Sequence, residues 1–236
     1  MKFLVIIPTY NEKENIEAIT SAVLEKTGTT TDVLVVDDNS PDGTGELVRH
    51  LMENQPRLQL LSRQKKEGLG KAYIAAFKWG LAKGYDVLVE MDADFSHRPD
   101  DLVKILKASE RSDFVVGSRY VSGGQTVNWG VLRKIISRGG SLYSRCILGY
   151  PISDWTGGFS AWSKEVLNTI GLEQIRSEGY SFQIELKYRS LKAGFKVQEV
   201  PIVFEDRRVG QSKMSLKIVL EAFVRVWSMR FFSQQK

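Results

Sequence analysis

Five short apolar runs separated by helical patterns set the strongest limit on what this chain can fold into. Phe3 to Pro8, Val33 to Val36, Leu58 to Leu61, Tyr85 to Met91 and Phe114 to Ser118 are largely unbroken by polar residues. Such runs are expected of strands covered on both faces. Between them lie segments with helical spacing. Glu14 to Glu25 carries Ile16, Ile19, Val23 and Leu24 on one side and is stopped by Gly28. A second helix runs from Thr44, its expected N-cap, to Asn54, a third from about Ala72 to Lys83, and a fourth from Asp100 to Ser109. This alternation predicts an α/β fold: a doubly wound, mostly parallel sheet with helices on both faces.

In such a sheet, ligands bind beyond the carboxyl ends of the strands. Three of those ends carry acids or special turns: Pro8-Thr9-Tyr10-Asn11-Glu12, Asp37-Asp38 and Asp92-Ala93-Asp94. Asp92 and Asp94 are spaced i, i+2 where a strand runs into a loop, so both can be aimed at one point in a crevice. Two hard oxygen donors suit a divalent cation such as Mg²⁺ or Mn²⁺ and leave positions for phosphate oxygens. Taken alone, the pair fits equally well as loop acids capping the helix after Pro99. Convergence with the other two strand ends favours a nucleotide site. Gly68-Leu69-Gly70-Lys71 has neither Walker spacing nor a dinucleotide fingerprint, and is expected to be a tight loop before a helix.

The 236 residues, 42% apolar, suffice for one sizeable core, and no linker, repeat or low-complexity tract divides them. One catalytic domain over residues 1–236 is therefore expected. Cys146 is the only cysteine, which rules out an intrachain disulfide and fits a reducing compartment. The chain has no apolar stretch of membrane-spanning length and no signal-peptide pattern, so a cytoplasmic location with at most peripheral membrane contact is expected.

The net charge of +5 is unevenly placed. Residues 129–148 hold Arg133, Lys134, Arg138 and Arg145 with no acid, and residues 207–236 hold seven basic residues against Glu221. The remainder is acidic. This asymmetry implies an anionic partner: nucleic acid, a phospholipid surface or a phosphorylated substrate. Trp129 to Leu148 is expected to be a basic helix with a break or kink at Gly139-Gly140. Tyr150 to Phe159 reads as a loop, and Lys164 to Thr169 and Ser181 to Ala193 as helices. Phe195 to Phe204 reads as a strand that Pro201 places at an edge. Ser215 to Phe232 reads as a last helix, with Lys217, Glu221 and Arg225 as a polar stripe on an apolar, aromatic body. Such a helix suits either an anionic bilayer surface or packing on the sheet.

The motifs resemble those of glycosyltransferase family 2 enzymes with a GT-A fold, and within them the dolichyl-phosphate (polyprenyl-phosphate) mannose synthases. The resemblance rests on Ile7 to Glu12, Val35 to Thr44, Gly68 to Tyr73 and Met91 to His97, then Gly117 to Tyr120, Arg133 to Gly139, Asp154 to Phe159 and Arg207 to Lys213. It implies transfer of mannose from GDP-mannose to a polyprenyl (dolichyl) phosphate; a related transferase using UDP-glucose or another sugar nucleotide is the alternative. By the same resemblance, Pro8, Tyr10, Glu12, Val36 and Asp38 would line the nucleoside pocket. Asp92, Ala93 and Asp94 would meet the diphosphate and metal, with Ser96 where relatives carry a further metal ligand. Arg119, Arg207 and Lys213 would serve the phosphates, and Asp37 would be structural. The enzyme would work peripherally at the cytoplasmic face of a membrane, with an anchoring partner subunit as one means of attachment.

A lipid monophosphate is already anionic near neutral pH, so its transfer needs no general base, unlike transfer to a hydroxyl. It needs cations instead. Arg133 and Ser137 are spaced i, i+4 on the basic helix and can grip one phosphate. A nucleic-acid-binding module is the rival from another class, but it would have no use for the paired acids.

Overall fold

A computed structural model describes residues 1–206 and 216–231. Strands β1 (Phe3–Thr9), β2 (Thr31–Asp37), β3 (Leu58–Ser62), β4 (Val87–Glu90) and β5 (Phe114–Ser118) arise from the five apolar runs. Helices α1 (Lys13–Lys26), α2 (Thr44–Met52), α3 (Leu69–Ala82) and α4 (Pro99–Ser109) connect them. The chain continues through β6 (Gln125–Val127), α5 (Val131–Leu148), β7 (Ser160–Ser163) and α6 (Lys164–Thr169). After a 3₁₀ turn at Leu172–Gln174 come α7 (Gly179–Lys192), β8 (Val197–Pro201), β9 (Val203–Glu205) and α8 (Leu216–Phe231).

Seven strands form one sheet in the order β3-β2-β1-β4-β7-β5-β8. Neighbours among β1 to β4 pair in parallel, as do β5 and β8. β7 runs antiparallel between β4 and β5. The sequence pattern missed it because Ser-Ala-Trp-Ser is too short and polar to read as a strand. The strand expected from Phe195 to Phe204 is two: β8 forms the sheet edge and ends at Pro201, and β9 pairs with β6 in a separate ribbon.

Period-two alternation splits the core into two layers. Leu4 and Ile6 of β1 face Ala76 and Phe77 of α3, together with α7 and α8 residues such as Leu186 and Val226. Val5 and Ile7 face Ile16, Ile19 and Val23 of α1 and Leu102 and Ile105 of α4. Gly80 lets α3 lie close on the sheet, because a Cβ there would stand 2.5 Å from Leu88 Cδ2 and 2.8 Å from Leu4 Cδ2. α2 is capped by Gly43 at φ 85°, not by Thr44. Thr44 instead donates its hydroxyl to Asp42 and accepts the Glu12 N–H, tying the β1 and β2 loops together. α5 runs unbroken through Gly139-Gly140.

The parallel strands all end at the same edge of the sheet. β7 points the other way, so the loop before it reaches that edge too. Tyr10, Asp38, Asp92 and Arg119, just past four parallel strands, therefore meet the 154–158 loop.

Candidate active site

A cavity of about 450 Å³ lies at this edge. Its lining includes Pro8, Tyr10, Glu12, Asp38, Asp92, Ala93, Asp94, Arg119, Arg133 and Ser137, so ten of the expected site residues are brought together. Val36 and Ser96 are the exceptions among the described residues: Ser96 is buried behind the lining, hydrogen-bonded to Asp94, and Val36 lies in the core. It is fully buried in the core against α3 and does not line the cavity, because its inward-facing strand position makes it a core residue. Arg207 and Lys213 lie outside the described residues.

The turns that carry the site are strained. Asn11, Asn39 and Phe95 have φ near +60°, each just beyond a strand end. For Phe95, with its bulky side chain, that costs about 1–3 kcal/mol, which the surrounding structure must hold in place. The loop is fixed from within. Asp94 Oδ1 accepts from both the backbone N–H and the hydroxyl of Ser96. Ser96 is buried, and its hydroxyl orients the Asp94 carboxylate. His97 Nδ1 accepts the Asp92 N–H at 3.0 Å, and the ring stacks on Phe159 with centroids 4.5 Å apart. Burial lowers the His97 pKa, against the raising influence of Asp92 and Asp94. With Nδ1 accepting, the neutral ring carries its proton on Nε2, so His97 is a positioning residue for the Asp92 loop.

The β2 end is a second hydrogen-bonded loop. Asp37 accepts from Thr9 and twice from Ser40. Asp38 accepts from Arg63 Nη1 at 2.6 Å. Burial raises the Asp38 pKa, and the Arg63 charge offsets this only partly. Lys66 sits 3.8 Å from the centroid of the Tyr10 ring. The sequence pattern had not singled out this cation–π contact, which adds a positive charge to the lining.

The opposite wall depends on a buried ion pair. Asp154, with no exposed surface, accepts from Arg119 Nε and Nη2, both at 2.7 Å, and from the backbone N–H of Arg119 and Gly157. Burial alone would raise the Asp154 pKa. The Arg119 charge and hydrogen bonds overcome it and hold the carboxyl below the usual range. Arg119 also donates to Thr156. Asp154 thus orients an arginine. Fully buried Lys187 donates to the carbonyls of Asp154, Trp155 and Gly157, and burial pushes its pKa down. Glu90, equally buried, accepts from Trp162 Nε1 and Gln183 Nε2, and burial pushes it up to about 8.

On α5, Arg133 pairs with Asp206 at 2.6 Å and lies 4.1 Å from the Trp129 ring centroid. Ser137 accepts from the Tyr120 hydroxyl at 2.7 Å. Asp206 supplies a counter-charge from outside the acid-free helix.

Asp92 and Asp94 are the acidic pair suited to a divalent ion. Among the described residues no group of three or more His, Cys, Asp or Glu forms a protein-only cage. A two-carboxylate set is the arrangement expected when a ligand's phosphates complete the coordination. The donor chemistry therefore fits Mg²⁺ or Mn²⁺.

The pattern of glycosyl transferase family 2 matches residues 4–171. An undecaprenyl-phosphate mannosyltransferase from Micrococcus luteus is 49% identical over 226 residues, covering 96% of this chain and 93% of that one. A polyprenol monophosphomannose synthase from Mycolicibacterium smegmatis is 48% identical over 231 residues, covering 96% and 87%. The backbone also resembles the glucosyl-3-phosphoglycerate synthase of Mycobacterium tuberculosis with Mg²⁺ and UDP (TM-score 0.69, 17% identity, 97% and 79% covered). A mannosyltransferase from Pyrobaculum calidifontis with GDP-mannose and Mn²⁺ is similar as well (TM-score 0.64, 19% identity, 100% and 65% covered). The sheet order, the acids at its carboxyl edge and the sequence match over most of the chain agree: the chain belongs to glycosyl transferase family 2 and has its GT-A fold.

Proposed function

We propose that this enzyme transfers mannose from GDP-mannose to a polyprenyl phosphate with inversion at the anomeric carbon. The observation that carries the reading is that one cavity holds the Asp92–Asp94 loop and the Arg133–Ser137 face of α5. A site of this kind can hold two negatively charged substrates at once. The names of the two relatives at 48–49% identity support the sugar and the acceptor class.

Asp92 and Asp94 would hold Mg²⁺ or Mn²⁺, with Ser96 as the support for Asp94. Such an ion supplies charge neutralisation for a nucleoside diphosphate leaving group. Pro8, Tyr10, Glu12 and Asp38 bound the nucleoside end, with Lys66 beside Tyr10. Arg133, steadied by Asp206 and Trp129, grips the lipid phosphate together with Ser137. A phosphate oxygen attacks the anomeric carbon as the bond to the diphosphate breaks, and the phosphate already carries the charge that a general base would otherwise have to generate. Arg119 shapes the wall between the two phosphates. By resemblance, Arg207 and Lys213 add further positive charge.

Access to a membrane-borne acceptor is supported by an exposed apolar surface. Val131, Leu132, Ile135 and Leu142 of α5 and Val224, Trp227 and Phe231 of α8 are exposed. Lys134, Arg138 and Arg145 are exposed on the same α5. The two helices touch through Tyr143 and Phe223, with ring centroids 4.1 Å apart. Among the described residues no helix is long and apolar enough to cross a membrane. Basic and apolar residues together suit peripheral binding to an anionic leaflet, here the cytoplasmic face.

The test is transfer by the purified protein with Mg²⁺ or Mn²⁺, GDP-mannose or UDP-glucose, and undecaprenyl phosphate in detergent. The expected result is mannose in the lipid fraction and GDP release that depends on lipid phosphate. Transfer from UDP-glucose alone, or GDP release indifferent to the lipid, overturns the assignment.

A further inference from the structure

Strand β9 lies outside the main sheet and pairs with β6. Its ladder runs on past Glu205, because the Asp206 N–H donates to the Val127 carbonyl at 3.2 Å. Strand alternation therefore sets Phe204 and Asp206 on one face. Phe204 lines the cavity. Its ring stands edge-on to His97 at 5.4 Å and to Trp129 at 5.3 Å between centroids, each at 80°. The first of these rings holds the Asp92 N–H. The second lies 4.1 Å from the Arg133 guanidinium. Asp206 meets the same guanidinium directly, accepting from Nη1 at 2.6 Å. The start of the strand is tied down as well. Asp101 of α4, 2% exposed, accepts the Val203 N–H with Oδ2 at 2.9 Å. α4 itself begins at Pro99, just past His97.

We propose that Phe204 and Asp206 are positioning residues that fix the distance between the Asp92–Asp94 loop and Arg133. The inference rests on the two-substrate reading above and adds what holds the two binding groups in register. An arginine is long and flexible, so its place on a helix does not aim it. Trp129 and Asp206 hold Arg133 from two directions, and both depend on β9: Asp206 through the chain, Trp129 through the edge of Phe204. At its other contact Phe204 packs on His97, which sets the Asp92 backbone. A shift of β9 would therefore move both ends of the site. A carboxylate beside a phosphate site repels the phosphate, so affinity alone does not account for Asp206. Alignment does. One carboxylate oxygen on Nη1 leaves the Nε–Nη2 edge of the planar fork to receive two phosphate oxygens. Misplacing reacting groups by about 1 Å can cost about a hundredfold in rate.

The test is single-turnover transfer from GDP-mannose, with Mg²⁺ and saturating undecaprenyl phosphate, by wild type, Phe204→Leu, Asp206→Ala and the double variant. Rates are taken per GDP-binding molecule, counted by calorimetry, so that unfolded protein does not enter. Each single substitution is expected to slow transfer about tenfold or more, with GDP affinity held within about twofold of wild type. Both act through Arg133, so the double variant should be no more than about twofold slower than the slower single one. A purely structural role would lower Tm and the fraction that binds GDP, yet leave the rate per binding molecule unchanged. That result overturns the proposal, and so does a double variant whose losses multiply. The Asp206 side chain is 39% exposed, so Asp206→Ala decides the matter if Phe204→Leu fails to fold. A wild type that uses UDP-glucose and not GDP-mannose overturns the donor assignment alone, and the same rates are then taken with UDP-glucose. A wild type without lipid-phosphate-dependent transfer overturns the two-substrate reading and the positioning role with it.

Discussion

Asp154→Ala is expected to unfold the cavity wall before it affects any substrate contact. The variant leaves the Arg119 guanidinium, 7% exposed, without its carboxylate. It also orphans the N–H groups of Arg119 and Gly157. Arginine cannot shed its charge, so burying it without this carboxylate should cost about 3–5 kcal/mol. For a chain of this size each kcal/mol moves Tm by about 2–4 °C, which gives a fall of roughly 6–20 °C. Urea and thermal melts at pH 7 measure it. The pH dependence has a definite sign. The folded Asp154 pKa is lowered, so the stability it contributes is complete above the unfolded value of about 3.9 and drains away as pH falls through the lower folded value. The gap between wild type and variant should therefore be full at pH 7 and close only in strong acid. The double substitution Arg119→Met, Asp154→Leu removes both charges and should recover most of the lost stability. It should not recover transfer, because Arg119 lines the cavity. An Asp154→Ala variant within about 1 kcal/mol of wild type, or a double variant no more stable than the single one, refutes the reasoning.

Asp94→Ala should abolish transfer and weaken metal-dependent GDP-mannose binding; full activity of that variant in EDTA would count against the ion site. Arg133→Ala should raise the KM for lipid phosphate or lower kcat while GDP-mannose affinity stays near normal, and Arg133→Lys should recover only part because it lacks the planar fork. Selective loss of GDP-mannose binding would move α5 to the donor side. Leu132→Glu with Ile135→Glu should reduce binding to anionic vesicles at least tenfold at low salt, on the scale of burying two apolar side chains; unchanged co-sedimentation rejects the membrane face. Burial raises the Glu90 pKa to about 8, so the stability of protonated Glu90 is present below its unfolded value and lost as pH rises toward the folded one. Glu90→Gln should thus gain on wild type between pH 5 and pH 8, and urea melts at the two pH values that show no such gain contradict it.

The sheet was legible because β1 to β5 are covered on both faces and announce themselves as unbroken apolar runs. β7 was not, since its place is set by pairing with Val87–Glu90 and Phe114–Val116 rather than by its own pattern. The site divides along the same line. Residues on strand ends, such as Asp92 and Asp94, could be placed from position alone. Val36 was misplaced because a one-residue step along a strand exchanges the cavity for the core. Gln183 and Lys187 sit on α7, where nothing local distinguishes a buried polar residue from one in solvent. A signal was present in part: Glu90 interrupts an apolar run, and such an interruption marks a buried polar group in search of a partner. Gln183 and Trp162 are those partners.

The buried charges also explain how α5 can be held in place while much of its surface is exposed. α5 presents Val131, Leu132 and Ile135 outward, and its inward face is largely polar. A helix with so little apolar packing on the sheet would be loosely held by the hydrophobic effect alone. It is positioned instead through hydrogen bonds that lead back to the core. Ser137 meets Tyr120, Ser141 receives the Trp155 N–H, and the 154–157 loop is fastened by Lys187 and by the Arg119–Asp154 pair. Replacing this wall with hydrocarbon would cost little stability, as for other buried ion pairs. It would also release the helix that carries Arg133 and Ser137 from its register with the Asp92–Asp94 loop. The polar wall therefore holds α5 at a fixed spacing from the Asp92–Asp94 loop, as the proposed transfer between two substrates bound there would require.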